Sequence, residues 1–329
     1  MKNIVIIGAG QLGSRHLQGI LKSKEDFQVF VIDPSHASLD IAKERAEAIP
    51  NEHQVMYLES VSQLPNTVAL AIIATNANVR LAVLEALCKQ SKVENLLLEK
   101  VLFQMASEYY EAAELIRQNN IRAYVNHPRR MQRMYQNLRD ILTEYPDEIF
   151  DISVYGSNWG LGCNGLHVSD AICFVFADQV AKYSIQNLDA SILDSKRSGF
   201  KEFTGALNGI TAKGHSFTIC SKNQPAAAVS PLTFNLNSEK IRVSLQEGAS
   251  PFICFTKLSQ PGSHELKNQV PMLFQSDLSR VLVDQLFQDE IPQLPTYSEA
   301  MENHLLFIQS LNAHLEKVTG ETQELCPIT

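Results

Sequence analysis

Apolar residues run in two alternating rhythms through the first third of the chain. Ile4–Ile7 is a continuous apolar stretch that enters Gly8-Ala9-Gly10-Gln11-Leu12-Gly13. Ser14–Ser23 then spaces its apolar positions at helical intervals, and a second apolar run, Phe27–Ile32, ends in Asp33. The alternation continues. Ala37–Ile49 reads as a helix with Leu39, Ala42 and Ala46 in phase, and Gln54–Leu58 as a short strand. Val68–Ala74 and Asn95–Leu98 are apolar runs, separated by a helix over Val79–Gln90 that Asn78 or a neighbour would cap. Ala106–Asn119 reads as another helix and Ile121–Val125 as a sixth strand. Continuous apolar runs are the mark of strands covered on both faces. Strands that alternate with helices predict a doubly wound parallel sheet.

Beyond Val125–Pro128 the rhythm changes, which divides the chain into a first domain, 1–126, and a second, 127–329. Met134–Leu142 reads as a helix, Ile149–Tyr155 as a strand, and Gly156–Gly162 as a polar, glycine-rich segment carrying the only tryptophan, Trp159. A helix is expected over His167–Ala177, with His167 and Asp170 in its first turn. Strands then follow one another without helices: Phe203–Ala212, Ser216–Ser221, Leu232–Leu236, Lys240–Leu245 and Phe252–Thr256, with Asn237-Ser238 as a hairpin turn. His264–Asn268 reads as a mobile loop, and Asp277–Asp289 and Ser298–Val318 as closing helices. The predicted fold is α/β: an N-terminal Rossmann sheet plus a C-terminal α+β domain with a large, mostly antiparallel sheet open on one face.

Composition narrows the functions open to such a fold. The 329 residues carry a net charge of −8, which gives nucleic-acid binding no electrostatic support. No stretch reaches the roughly 18 apolar residues that span a bilayer. The N-terminal apolar run ends in a glycine turn rather than a cleavage site, so no signal peptide is expected. The six cysteines are scattered without a CxxC pair, which predicts reduced thiols in a cytoplasmic protein and no structural zinc.

The glycine turn is the strongest chemical signal, because it sits between a strand and a helix. Gly8 permits the tight turn, Gly10 leaves the backbone open to a pyrophosphate, and Gly13 lets helix and strand pack closely. The next helix, opening at Gln11 and Leu12, would aim its N-terminal amides at the phosphates. Asp33 falls about 20 residues after the turn, where a carboxylate binds adenosine ribose hydroxyls and repels a 2′-phosphate. NAD is therefore expected in preference to NADP. Ligands of doubly wound sheets collect at the carboxyl ends of the strands. Gly8, Asp33, Thr75-Asn76 and Glu99-Lys100 all fall there. Glu99 and Lys100 also admit an ordinary surface ion pair. In the second domain Arg129, Arg130 and Arg133 would capture a substrate anion or form a solvated helix face. Trp159 would stack on a ligand ring or pack in a core.

The order of these motifs resembles the Gfo/Idh/MocA oxidoreductases, relatives of glucose-fructose oxidoreductase and inositol 2-dehydrogenase. GAGQLGSRH is similar to their nucleotide turn, and Ala74-Thr75-Asn76 with Arg80 to their T-P-N-x-x-H segment, with Asn76 for proline and Arg80 for histidine. Leu98-Glu99-Lys100-Val101 resembles their E-K-P signature, with Val101 for proline. Gly165-Leu166-His167-Val168-Ser169-Asp170 resembles G-x-H-x-x-D. The likeness is strong through the first 130 residues and thin after 175. Many catalytic members carry an aspartate four residues before the histidine, where this chain has Cys163. The resemblance implies hydride transfer between a nicotinamide and a secondary alcohol of a sugar, cyclitol or sugar nucleotide. Lys100 and His167 would handle the proton, with Arg129, Trp159, Cys163 and Asp170 near the substrate. Histidine, titrating near ~6.5, suits the base, and lysine, near ~10.4, suits the cation that stabilises an alkoxide. Asp170 suits a structural role better than a catalytic one, because an aspartate near a helix N-terminus is stabilised there. A homodimer or homotetramer through the C-terminal sheet is also implied. Two alternatives stay open: a non-catalytic NAD-binding regulator or scaffold, and a reductase of an imine or tetrapyrrole.

Overall fold

The computed structural model describes residues 2–329 except 225–227, 260–263 and 268–270, with only the backbone of 264–267. The chain forms two compact units: Met1–Pro128 with Leu273–Met301, and Arg129–Met272 with Glu302–Thr329.

The first unit is built on β1 (Lys2–Ile7), α1 (Gln11–Ile20), β2 (Phe27–Ile32), α2 (His36–Glu47), β3 (Gln54–Leu58), β4 (Thr67–Ile73), α3 (Ala77–Gln90), β5 (Lys92–Leu98), α4 (Ala106–Gln118) and β6 (Arg122–Val125). All six strands are parallel, in the order β3-β2-β1-β4-β5-β6. Ile4 pairs with Val29 on one side and Leu70 on the other, and all three are fully buried. Chain direction of winding reverses between β1 and β4, the point where such sheets open a crevice for ligands. Helix starts are capped as their sequences dictate. The Ser35 side chain accepts from the Ser38 amide at α2, and Glu108 accepts from the Met105 amide at α4. At α3 the cap position is Asn76 rather than Asn78, and no side chain bonds there.

The second unit contains α5 (Arg133–Leu142), β7 (Asp151–Ser157), α6 (Leu161–Phe176), β8 (Val180–Leu188), β9 (Leu193–Asp194), β10 (Lys201–Glu202), β11 (Gly205–Thr211), β12 (Ser216–Lys222), β13 (Thr233–Asn237), β14 (Ile241–Gln246), β15 (Phe252–Lys257) and β16 (His264–Lys267). Eight of these strands form one sheet, β16-β15-β14-β13-β7-β12-β11-β8, antiparallel except for the β7–β12 pair. Buried and half-exposed residues alternate along β7, β12 and β14, so one face is covered and the other is open. Across the open face runs a registered row without a charge: Ser184, Asn208, Thr218, Ser153, Asn235, Ser244 and Cys254. Residues 264–267, expected as a loop, form the strand β16 against β15; Asn268 lies outside the described residues. The hairpin at Ser238 is closed by its amide on Ile241 O at 3.0 Å.

Two helices follow, α7 (Gln275–Phe287) and α8 (Tyr297–Thr319). The segment that holds α7 belongs to the first unit, whereas the sequence places everything after residue 126 in the second. There α7 packs on α1, with Lys22 Nζ on Asp277 Oδ1 at 2.9 Å and Ser23 Oγ on Asp284 Oδ1 at 2.6 Å. No described helix is long and apolar enough to cross a membrane.

Candidate dinucleotide site and the accessible stripe of α6

In the first unit the turn after β1 lies against the end of β4. Gly8 adopts φ +97°, and a Cβ on Gly13 would stand 1.7 Å from Gly8 O. Glycine at both positions is a requirement of the fold. Gly10 is different: its backbone is extended, and a Cβ there would meet nothing within 4 Å. Neither backbone strain nor packing asks for glycine at this position. Gly10 also occupies the cap of α1 without offering a side chain, so the opening amides of Gln11, Leu12 and Gly13 lack an intrahelical acceptor. Such amides, with the helix dipole behind them, suit a pyrophosphate. The Gln11 side chain is drawn sideways, its Oε1 accepting from Arg45 Nη2 at 2.6 Å. Leu12 is half-buried.

Asp33 ends β2 facing this turn. Its Oδ2 accepts from the Ala9 amide and its Oδ1 from the Ser35 amide, both at 2.8 Å. The carboxylate is therefore fixed while half its acceptor capacity stays available. Across the crevice Thr75 Oγ1 is buried with no hydrogen-bond partner among the described residues. A space that a methyl would enter, uncapped amides, a fixed carboxylate and an orphaned hydroxyl all fit a bound dinucleotide. Asn76 is exposed beside them.

Glu99 and Lys100 leave β5 with different fates. Glu99 is buried, and its Oε1 accepts from His16 Nε2 at 2.9 Å and Asn126 Nδ2 at 2.5 Å. It is neither a surface ion pair nor turned to a cofactor, because those partners hold it inside. Burial pushes its carboxyl up, but the His16 and Asn126 hydrogen bonds and the Lys100 charge outweigh that and leave it below the usual carboxylate range. His16 Nδ1 lies 2.9 Å from Ser279 Oγ on α7, and Asn126 Nδ2 also donates to Gln275 Oε1 at 3.0 Å. Lys100 itself is half-buried. The loop behind it is held by Arg80, whose guanidinium is buried and donates to Leu102 O at 2.7 Å, to Val101 O and to Thr75 O. One side chain thus ties the loop after β5 to the loop after β4.

In the second unit α6 starts six residues before its expected beginning, so His167 and Asp170 lie in its middle. Twelve of its sixteen residues are buried, and Cys163, Asn164 and His167 form the accessible stripe on its first two turns. Glu202 of β10 covers the helix start, accepting from the amides of Gly162 and Cys163, the latter at 3.3 Å. Cys163 Sγ lies 3.8 Å from Ser195 Oγ. Asp170 is buried on the opposite side and receives Arg130 through Nε at 3.0 Å and Nη2 at 2.8 Å. Burial pushes its carboxyl up, against the pull of Arg130. Asp170 thus anchors α6 through this ion pair, and no helix N-terminus stabilises it.

Two other expected substrate groups are also structural. Arg129 is neither solvated nor offered to an anion: Nε and Nη2 meet Glu247 at 2.7 and 2.9 Å, and Tyr135 OH donates to the same carboxylate at 2.6 Å. Of the three arginines only Arg133 lies on an exposed helix face. Trp159 is buried and donates Nε1–H to Cys220 O at 3.0 Å, which leaves no face for a ligand ring. His16, Asn126, Asn164 and Glu202 received no role from the sequence. His16 alone left a trace there, a polar residue on the apolar stripe that Leu17 and Ile20 define.

Residues 2–127 match the model of the Gfo/Idh/MocA oxidoreductase family, NAD-binding Rossmann fold. Solved structures with the same fold include a super-repressor mutant of Gal80p from Saccharomyces cerevisiae, 13% identical, covering 98% of both chains with a TM-score of 0.74. An oxidoreductase from Agrobacterium radiobacter in complex with NAD+, L-tartaric acid and magnesium is 13% identical over 98% of both chains, TM-score 0.72. UDP-N-acetylglucosamine 3-dehydrogenase GnnA from Acidithiobacillus ferrooxidans is 13% identical over 97% of this chain and 99% of that one, TM-score 0.73. No curated protein matches the chain in sequence.

Proposed function

We propose that this chain, whose residues 2–127 belong to the Gfo/Idh/MocA oxidoreductase family, is an NAD-dependent dehydrogenase acting on a secondary alcohol, or the matching ketone, of a sugar, cyclitol or sugar nucleotide. The observation that carries the reading is Gly10, a glycine that the fold does not need and a pyrophosphate does. Asp33 supports NAD over NADP, since its fixed carboxylate would repel a 2′-phosphate. A nicotinamide, when bound, supplies the hydride acceptor or donor. Lys100 is the cation that polarises the substrate oxygen and stabilises alkoxide charge. His167 takes the hydroxyl proton, a task for which its residue type needs little tuning at neutral pH. The substrate class is supported by the sugar-nucleotide dehydrogenase among the structural relatives. The uncharged row across the open sheet supports self-association into a homodimer or homotetramer, because interface cores are depleted of charge.

A second reading, a non-catalytic NAD-binding regulator, draws support from Cys163 on the accessible stripe of α6 and from the likeness to Gal80p. One experiment separates the two. The purified protein is titrated with NADH and NADPH, then assayed with NAD+ as hydride acceptor, at the nicotinamide absorbance, on UDP-N-acetylglucosamine, myo-inositol and L-tartrate. The dehydrogenase reading expects NADH to bind at least about tenfold tighter than NADPH. It also expects His167→Ala to cut turnover by roughly 100-fold or more with NADH affinity unchanged. Tight NADH binding without turnover across the panel favours the regulator, and absence of NADH binding removes both.

A further inference from the structure

A cavity of about 250 Å³ opens in the second unit at the end of α6 remote from Cys163 and His167. Its apolar walls include Leu142, Phe150 and Phe176, and its polar groups include Arg139, Lys213 and His215. His215 is 5% exposed, its ring 4.3 Å from that of Phe176. The Phe150 amide donates to His215 Nδ1 at 3.2 Å. Nδ1 is thereby an acceptor, so the ring proton resides on Nε2. Nε2–H has no acceptor among the described residues. Burial, opposed by Asp178, holds the imidazole below its usual range, in keeping with a neutral ring.

The cation beside it is also unneutralised. The Arg139 guanidinium lies over the Phe174 ring at 5.1 Å, and no carboxylate of a described residue pairs with it. Lys213 Nζ is turned to the last carbonyls of α6, Phe176 O at 3.2 Å and Ala177 O at 2.9 Å. The nearby acids are already engaged: Asp178 accepts the amides of Gln179 and Lys213, and Glu148 pairs with Lys240. Aromatic and aliphatic walls thus surround a donor and a cation, and Glu148, the carboxylate in the lining, is already taken by Lys240.

From this geometry we propose that the cavity is a binding site for a small carboxylate with an aromatic or branched apolar body. The carboxylate accepts from Arg139 and His215 Nε2–H, and the body packs between Phe150, Phe176 and Leu142. Such a ligand rests on the last turn of the helix whose first turns carry Cys163 and His167.

Benzoate is the probe, and benzyl alcohol, nearly the same shape without the charge, is its control. Calorimetric titration of the full chain should give a benzoate Kd below ~1 mM and binding of benzyl alcohol at least about tenfold weaker. Arg139→Gln, on a half-exposed helix position, should weaken benzoate about tenfold or more without changing the thermal midpoint. His215→Phe, checked for folding by circular dichroism, should do the same while retaining benzyl alcohol. No benzoate binding at ~10 mM, equal binding of the two probes, or an Arg139→Gln protein that binds benzoate like the parent would overturn the site.

Discussion

Gly10 and Gly13 stand three residues apart, yet an added methyl would meet open space at one and a backbone carbonyl at the other. The two positions therefore fail differently. Gly13→Ala should be poorly folded, its thermal midpoint lowered by several degrees or its expression lost, because α1 must move off the turn. Gly10→Ala should melt within a degree or two of the parent and bind NADH at least about tenfold more weakly, read by nucleotide fluorescence. Loss of stability without loss of affinity at Gly10 would show that the glycine serves the fold. The turn and Asp33 were legible in the sequence because their contacts are short-range; Asp33 reaches Ala9 across 24 residues of one βαβ unit. Arg129 and Asp170 were not, because their partners lie 118 and 40 residues away and nothing local announces a buried ion pair. An arginine pair after a boundary looks the same whether it meets solvent or a carboxylate.

Among the elements, α1, β5, β6 and α7 are joined by one buried set of polar groups: His16, Glu99, Asn126, Gln275 and Ser279. Glu99 is its centre, and its carboxyl is held below the usual carboxylate range in the folded protein. A depressed carboxylate contributes stability that is fully present above its unfolded value, near ~4.3, and that is lost as the pH falls through its folded value. Glu99→Gln should cost on the order of 2 kcal/mol at pH 7 in urea unfolding. Below pH ~4 the gap between variant and parent should narrow, and a gap that stays constant down to acid unfolding would exclude the linkage. The helices and strands of this unit were readable because each repeats a clean period. In the second unit two elements broke theirs. The first turns of α6 carry Gly162 and Gly165, poor helix formers whose place in the helix is secured by burial. The strand β8 pairs with β11 through two register shifts, so its buried residues do not alternate evenly.

At the scale of the whole molecule the open sheet face is the feature with the widest reach. Thr218 lies within this uncharged row, one place from its middle, receiving Asn208 Nδ2 at 2.8 Å. If that face mediates self-association, Thr218→Arg should convert the proposed dimer or tetramer to a monomer in light scattering, with the far-ultraviolet spectrum preserved. An unchanged mass would place the contact elsewhere. The two-unit layout was foreseeable from the change of rhythm near Pro128. The return of 273–301 to the first unit was not, because a helix that covers α1 carries the same amphipathic pattern as one that covers a sheet. That return sets the order in which the protein can be completed as it leaves the ribosome. His16 waits for Ser279, 263 residues downstream, roughly 15–50 s at ordinary rates of synthesis. Until then one side of α1 has no cover, although every strand of its sheet has long since emerged. The part of the chain made first therefore stays incomplete until most of the second unit has been made, and a nascent chain stalled anywhere before residue 275 presents that unfinished surface to the chaperones around it.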